Sequence, residues 1–321
     1  VSDHNKNIAR IGTRVSKLAR LQTDFVLRAL KEAFPQINFE IVPVTTHGDQ
    51  VRDRPIAELG TRGVFVKELE EALLANEVDL VVHSLKDLPT DLPSGLCLGA
   101  VPAREDVRDV IVSRGNTSFS ALPAGALVAT SSRRRAAQLR SLRKDLNFVD
   151  IRGNVDTRLR KLDDGQCDAM VLAAAGLLRL GLGERITEYL DPQISTPAVG
   201  QGALGIECRS DDNWIMSMLS HIDNKEVRAL TTAERSFLDE LGGGCSVPVG
   251  ALAESVPADR IKLSGCVASL DGTQIFRDSL ESSAAQAHEL GRQLAERILS
   301  QGAGSVLASL KTMTSNMVSP P

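Results

Sequence analysis

Short apolar runs alternate along this chain with stretches of helical period, and each run gives way to polar or glycine-rich residues. That rhythm limits the fold more than any other feature. Residues 8–13 read as a strand, Ser16 as a helix cap, and Leu18, Leu21, Phe25, Ala29 and Ala33 as a helix stripe closed by Pro35. Residues 39–44 read as a second strand, which Pro43 either places at a sheet edge or ends early. Phe65, Leu69, Ala72 and Leu73 mark a helix, and residues 80–82 a third strand. The order βαβαβ predicts a parallel sheet with helices on both faces. A second series follows a charged, proline-led crossing at 102–109. Its strands are 127–129, 148–151 and 168–173, with helices through Leu139 and Leu142 and through Leu159 and Leu162; the segment 176–181 with Arg179 then follows. One more strand, 204–208, is expected to return to the first sheet. A helix over 224–241 precedes strands 249–253, 261–267 and 273–280, with Asp271-Gly272 as a hairpin signal, and a helix over 284–299. That end of the chain predicts a small antiparallel α+β domain.

The bulk numbers narrow the class. A chain of 321 residues with 42% hydrophobic and 24% charged residues predicts a globular protein of two or three domains. No apolar stretch approaches the roughly 18 residues that span a bilayer. The polar residues 1–6 are no signal peptide, and without an initial Met a removed leader stays open. A net charge of −4 and 3% aromatic residues argue against a nucleic-acid surface and an anionic membrane. Five cysteines without a CxxC spacing, and histidines without an HExxH pattern, exclude a disulfide framework and the common zinc motifs and point to a reducing compartment.

Three stretches carry chemistry. In 78–89, the apolar residues 80–82 break into His83, Ser84, Lys86 and Asp87, where ligands sit at strand carboxyl ends. The ammonium beside the carboxylate reads either as a solvated loop or as an acid held in an anion-binding cleft. In the second series, Arg133, Arg134 and Arg135 follow one strand and Arg152 the next, with Arg158 beyond; Thr130, Ser131 and Ser132 add hydroxyls at a helix start. Arginines at strand-to-helix junctions predict a pocket for a small polyanion. Arg140, Arg143, Arg160 and Lys161 read as a solvated basic face. Arg14 stands between a strand end and a helix start, where both can face one anion. Gly200, Gln201 and Gly202 read as a hinge, as a close backbone approach to a ligand, or as both. Cys97, Cys167, Cys208 and Cys266 read as buried small hydrophobes. Cys245, after three glycines, reads either so or as a thiol carried into a cleft.

Eight motifs in order resemble the porphobilinogen deaminase (hydroxymethylbilane synthase) family: IGTRVSKLARLQT, GVFVKELE, VHSLKDLPT, REDVRD, ATSSRRRAAQL, IRGNVDTRLRKL, VGQGALGIE and GGGCSVPVG. The resemblance runs from about residue 8 to about residue 302. It implies an α/β fold of two periplasmic-binding-protein-like lobes plus a small C-terminal α+β domain, a three-stranded antiparallel sheet with helices. The implied division is 1–103 with 199–220, then 104–198, then 221–313 carrying the cysteine loop, and a disordered tail at 314–321.

The resemblance further implies a transferase that adds four porphobilinogen molecules to a covalent dipyrromethane cofactor with loss of ammonia, then releases hydroxymethylbilane by hydrolysis. Cys245 matches the attachment position and Asp87 the catalytic carboxylate, beside which Lys86 favours the charged form. Arg14, Lys86, Arg134, Arg135, Arg152, Arg158 and Arg179 match carboxylate-binding positions. Ser16, Gln22, Ser84, Thr130, Ser131, Ser132, Gly153, Asn154, Gln201 and Gly202 match their hydrogen-bonding neighbours, and Phe65 an aromatic near the cofactor. Arg133 departs from an apolar pattern, and Gly60-Thr61-Arg62-Gly63 from a glycine-glycine-lysine-glycine loop. The resemblance also implies a cytoplasmic monomer, or a plastid one if a transit peptide is removed, that hands its product to uroporphyrinogen-III synthase. No metal, nucleic acid or membrane partner is expected. A two-lobed carboxylate receptor shares the arginines but gives Cys245 no role; a hydrolase would pair Cys245 with His83.

Overall fold

The computed structural model describes residues 7–46, 66–242 and 247–309. Phe65, the 60–63 loop, Cys245 and the tail at 314–321 lie outside the described residues.

The first sheet holds β1 (Ile8–Arg14), β2 (Asn38–Val44), β3 (Leu80–Ser84), β4 (Leu96–Ala100) and, from far along the chain, β10 (Leu204–Arg209). Its strand order is β2-β1-β3-β10-β4, and β2 with Pro43 is an edge strand, as expected. β1, β2 and β3 are parallel, but β10 runs antiparallel to both β3 and β4. The sheet is therefore mixed, not parallel throughout, because the returning strand enters from the opposite end.

The second sheet repeats the plan with β5 (Asp109–Ser113), β6 (Leu127–Ala129), β7 (Asn147–Val149), β8 (Ala169–Ala173) and β9 (Glu188–Tyr189), in the order β7-β6-β8-β5-β9. Here β5 is the antiparallel strand beside β8. The third sheet is the antiparallel meander β11 (Val249–Val256), β12 (Arg260–Ala268) and β13 (Ile275–Ser283). β4, β5 and β9 carried no reading from sequence.

The described helices are α1 (Lys17–Ala33), α2 (Lys67–Leu74), α3 (Arg133–Leu142), α4 (Val155–Asp163), α5 (Ala174–Arg179), α6 (Asn213–Leu219), α7 (Lys225–Glu240) and α8 (Ala287–Ile298). Ser16 caps α1 and Asn224 caps α7 through side-chain oxygens that accept from Ala19 N and Val227 N. The segment 176–181, given no secondary structure in the sequence reading, is mostly helix α5.

The first two sheets are covered on both faces, which is why their strands read as unbroken apolar runs. Leu80 and Val82 of β3 pack toward Val26 and Leu30 of α1, while Val81 packs toward Leu69 and Leu73 of α2. The stripe assigned to α1 is off by one position. Ala19, Gln22, Thr23, Val26 and Leu30 are buried, and Phe25 is 40% exposed. Thr23 donates to Thr13 Oγ1 at 2.7 Å and Gln22 Nε2 to Ser84 Oγ at 2.8 Å, so polar residues occupy the inner face because β1 and β3 supply partners. In the third domain Phe237 packs against β12, where a Cβ at Gly265 would sit 2.6 Å from its ring.

Side chains tie the three units together. Glu234 of α7 accepts from Arg104 at 2.8 and 3.0 Å, from Gly200 N at 2.8 Å and from Ala253 N at 2.9 Å, gripping both crossings between the lobes. Arg235 donates to the carbonyls of Leu88, Pro89 and Thr90. Arg140 and Arg143 are not simply solvated: they donate to the carbonyls of Leu270 and of Phe119, Ser120 and Leu122.

Candidate active site

The parallel strands of both lobes end at one cleft, a cavity of about 540 Å³. From the first lobe it receives the end of β1 and the start of α1, with Arg14, Ser16, Lys17 and Gln22. The end of β3 adds Ser84, Lys86 and Asp87, because a 3₁₀ turn at Leu85–Asp87 stops the strand before Pro89. The strand runs on through His83 and Ser84 rather than breaking at His83. From the second lobe come Arg135, Arg152, Gly153, Asn154 and Arg158, then Arg179 at the end of α5. Gly202 completes the wall. Asn154 is the N-cap of α4 and makes no capping bond with its side chain, while Val155, Asp156 and Thr157 bring the start of that helix to the cleft.

The cavity is strongly positive. Burial pushes Lys86 down to about 8; Arg135 and Arg134 repel its ammonium further, and Asp87 and Asp109 only partly offset this. Burial, with Arg135 and Arg152 nearby, pushes Arg158 down to about 10. Burial also lowers Arg179, whose Nη2 donates to the Gly202 carbonyl at 2.7 Å. Cations held this way gain free energy when anions enter among them. Among the described residues none donates a side-chain hydrogen bond to Asp87, so its oxygens stay open to a ligand.

The remaining matched positions lie beside the cavity. Arg134 is buried, with its guanidinium on Asp109 at 2.7 and 3.2 Å and on the Thr196 carbonyl at 2.5 Å. Gln201 donates to Asp109 Oδ1 and the Val107 carbonyl. Ser131 donates to the Ile151 carbonyl, Ser132 caps α3 by accepting from Arg135 N, and Thr130 Oγ1 accepts from Ser132 N. These five hold the wall rather than line it. Gly202 sits at φ +84°, and a Cβ there would collide with the Glu105 carbonyl, so the close approach is to protein backbone. Arg133, the first residue of α3, is half-buried.

Asp109 organises this region and was missed in the sequence. Fully buried at the start of β5, it accepts from Arg134, Arg135, Ser195 and Gln201, and the two guanidiniums hold its carboxyl far below the usual range despite burial. The REDVRD run contains it, but nothing local separates it from Asp106. Lys161 was read as solvated; it lines the cavity and donates to the Arg152 carbonyl at 3.2 Å. Its (i, i+3) spacing from Arg158 on α4 was the available signal. His83 does not serve a hydrolase: it is buried with Nε2 3.0 Å from Glu207 Oε2 and is absent from the cavity wall.

Two family models match the chain. Porphobilinogen deaminase, dipyromethane cofactor binding domain, covers residues 9–217, and Porphobilinogen deaminase, C-terminal domain, covers residues 229–300. The porphobilinogen deaminase of Pelotomaculum thermopropionicum is 50% identical over 297 residues, 92% of this chain and 95% of its own. That of Roseiflexus castenholzii is 50% identical over 303 residues, 94% and 99%. That of a Synechococcus species is 49% identical over 304 residues, 94% and 96%. Among solved structures, the periplasmic VFT2 domain of Bordetella pertussis BvgS aligns with 70% of this chain and 92% of its own at 20% identity, with a TM-score of 0.40. Because the matches run through the cavity-forming segments of both lobes and on into the antiparallel domain, this chain belongs to the porphobilinogen deaminase family.

Proposed function

We propose that this chain condenses four porphobilinogen molecules head to tail on a covalent dipyrromethane primer, with loss of ammonia at each addition, and then releases hydroxymethylbilane by hydrolysis. The observation that carries this reading is the carboxylate of Asp87, at the end of β3, set among Lys86, Arg135 and Arg158 in one cavity. Every pyrrole unit brings an acetate and a propionate, and desolvated cations suit such a ligand. The residues present therefore fit the cofactor; when bound, it supplies the pyrrole carbon that the first substrate unit joins.

Arg14, Arg152, Arg158, Arg179 and Lys86 clamp carboxylates and orient the ring being added. Arg135 contributes charge while anchored to Asp109. Ser16, Gln22, Ser84, Gly153, Asn154 and Gly202 hold the same groups by hydrogen bonds. Thr130, Ser131, Ser132, Arg134 and Gln201 act through the wall that they brace. Asp87 stabilises the positive charge that grows on the substrate ring as ammonia leaves, and it accepts and returns the pyrrole N–H proton. Cys245 is the attachment thiol and Phe65 an aromatic near the cofactor.

The division into 1–103 with 199–220, 104–198 and 221–313 is supported by β10 lying in the first sheet. We place the enzyme as a cytoplasmic monomer that passes its open-chain product to uroporphyrinogen-III synthase.

Intact mass of the purified protein tests the reading. A dipyrrole mass excess is expected, with a pyrrole colour reaction in acid, and both should vanish in Cys245→Ser. Protein of bare polypeptide mass that consumes no porphobilinogen after reconstitution would end it.

A further inference from the structure

Away from the cavity, the first lobe gathers three sulfur atoms. Cys97 of β4 and Cys208 of β10 stand opposite each other in register, and Met216 of α6 closes over them. The two Sγ atoms are 3.8 Å apart, and Met216 Sδ is 3.6 Å from Cys97 Sγ and 3.5 Å from Cys208 Sγ. Gly99 leaves room for this cluster, since a Cβ there would sit 2.9 Å from Cys208 Sγ. Cys208 is fully buried, whereas Cys97 is half-buried and gives a route inward. None of the three lines the cavity.

The separations define a triangle. A point in its plane equidistant from the three sulfurs lies about 2.1 Å from each, and a metal–thiolate bond of about 2.3 Å places an ion slightly above that plane. Among the described residues, no group of three or more His, Cys, Asp or Glu is placed to hold a metal, so the hard fourth ligand that zinc favours is lacking. Thiolate and thioether ligands select Cu(I).

We propose that Cys97, Cys208 and Met216 form a trigonal site for Cu(I). Cu(I) taken up by the two cysteine thiols replaces two S–H bonds with two Cu–S bonds and releases two protons, with no change of oxidation state. Met216 Sδ adds the third, neutral bond. The bound ion ties β4, β10 and α6 together, and β10 pairs with β3, the strand that leads to Asp87.

The test is anaerobic titration of the holoprotein with Cu(I) against the chromophoric chelator bicinchoninate. The expected result is one equivalent retained, with two protons lost in the native mass and a raised Tm. Cys97→Ser should weaken retention by more than the roughly 100-fold that loss of an outer-sphere partner costs. Met216→Leu, which keeps the packing, should weaken it measurably less. The proposal fails if the wild type holds no more copper than Cys97→Ser. It fails equally if Met216→Leu holds as much as wild type, or if the copper persists in Cys97→Ser and is lost in Cys245→Ser. None of these outcomes depends on the proposed reaction.

Discussion

Raising the pH should disarm the cavity well before it unfolds the protein. Lys86 falls from 10.5 to about 8 because burial disfavours its ammonium. That drop corresponds to about 3 kcal/mol between the two protonation states. The free enzyme should lose one clamp as pH passes about 8, so kcat/KM for porphobilinogen should fall on a basic limb there. Bound carboxylates restore the charge, so the corresponding limb of kcat should lie higher. Lys86→Arg keeps a cation at all these pH values and should move the kcat/KM limb up by more than a unit. Identical basic limbs in the two proteins would refute the assignment. The stability effect has the opposite sign. Between about pH 8 and 10.5 the unfolded chain binds more protons at this residue, so its contribution to stability rises with pH across that window. Below it the charged Lys86 is a cost, and Lys86→Met should gain about 1 kcal/mol at pH 7 in urea unfolding, after allowance for solvent at the cavity wall.

Other perturbations separate chemistry from scaffolding. Asp87→Asn should cut turnover by roughly 100-fold or more while the dipyrrole adduct persists in the intact mass. Arg134→Leu should cost about 3–5 kcal/mol in denaturant unfolding by removing a buried partner of Asp109, whereas Arg152→Leu should leave stability near wild type and raise KM. Gly202→Ala, at φ +84° and against Glu105, should cost about 1–3 kcal/mol, visible as a lower Tm.

Features written in short windows were legible. Strand 127–129 is read without error, the cap at Ser16 forms as its residue type demands, and Asp271-Gly272 makes the turn before β13. The Asp271 carboxylate, held to about 2 by Ser269 and Thr273, fixes that turn. Helix α1 shows the limit: two stripes one position apart fit the same period, and only the partners on β1 and β3 select the less apolar one, with Gln22 and Thr23.

The alternation of strands and helices in each lobe, apart from β4, β5, β9, α5 and α6, the position of Asp87 at a strand end and the enrichment of arginine at two junctions follow from the sequence alone, since periodicity, proline and charge act locally. Which arginines face the cavity does not. Arg134 and Arg152 are alike as letters, but Arg134 is taken by a carboxylate 25 residues earlier, on a strand unread in the sequence. Whether a cation binds protein or ligand depends on the field of distant groups at that point, and only chain folding brings those groups together.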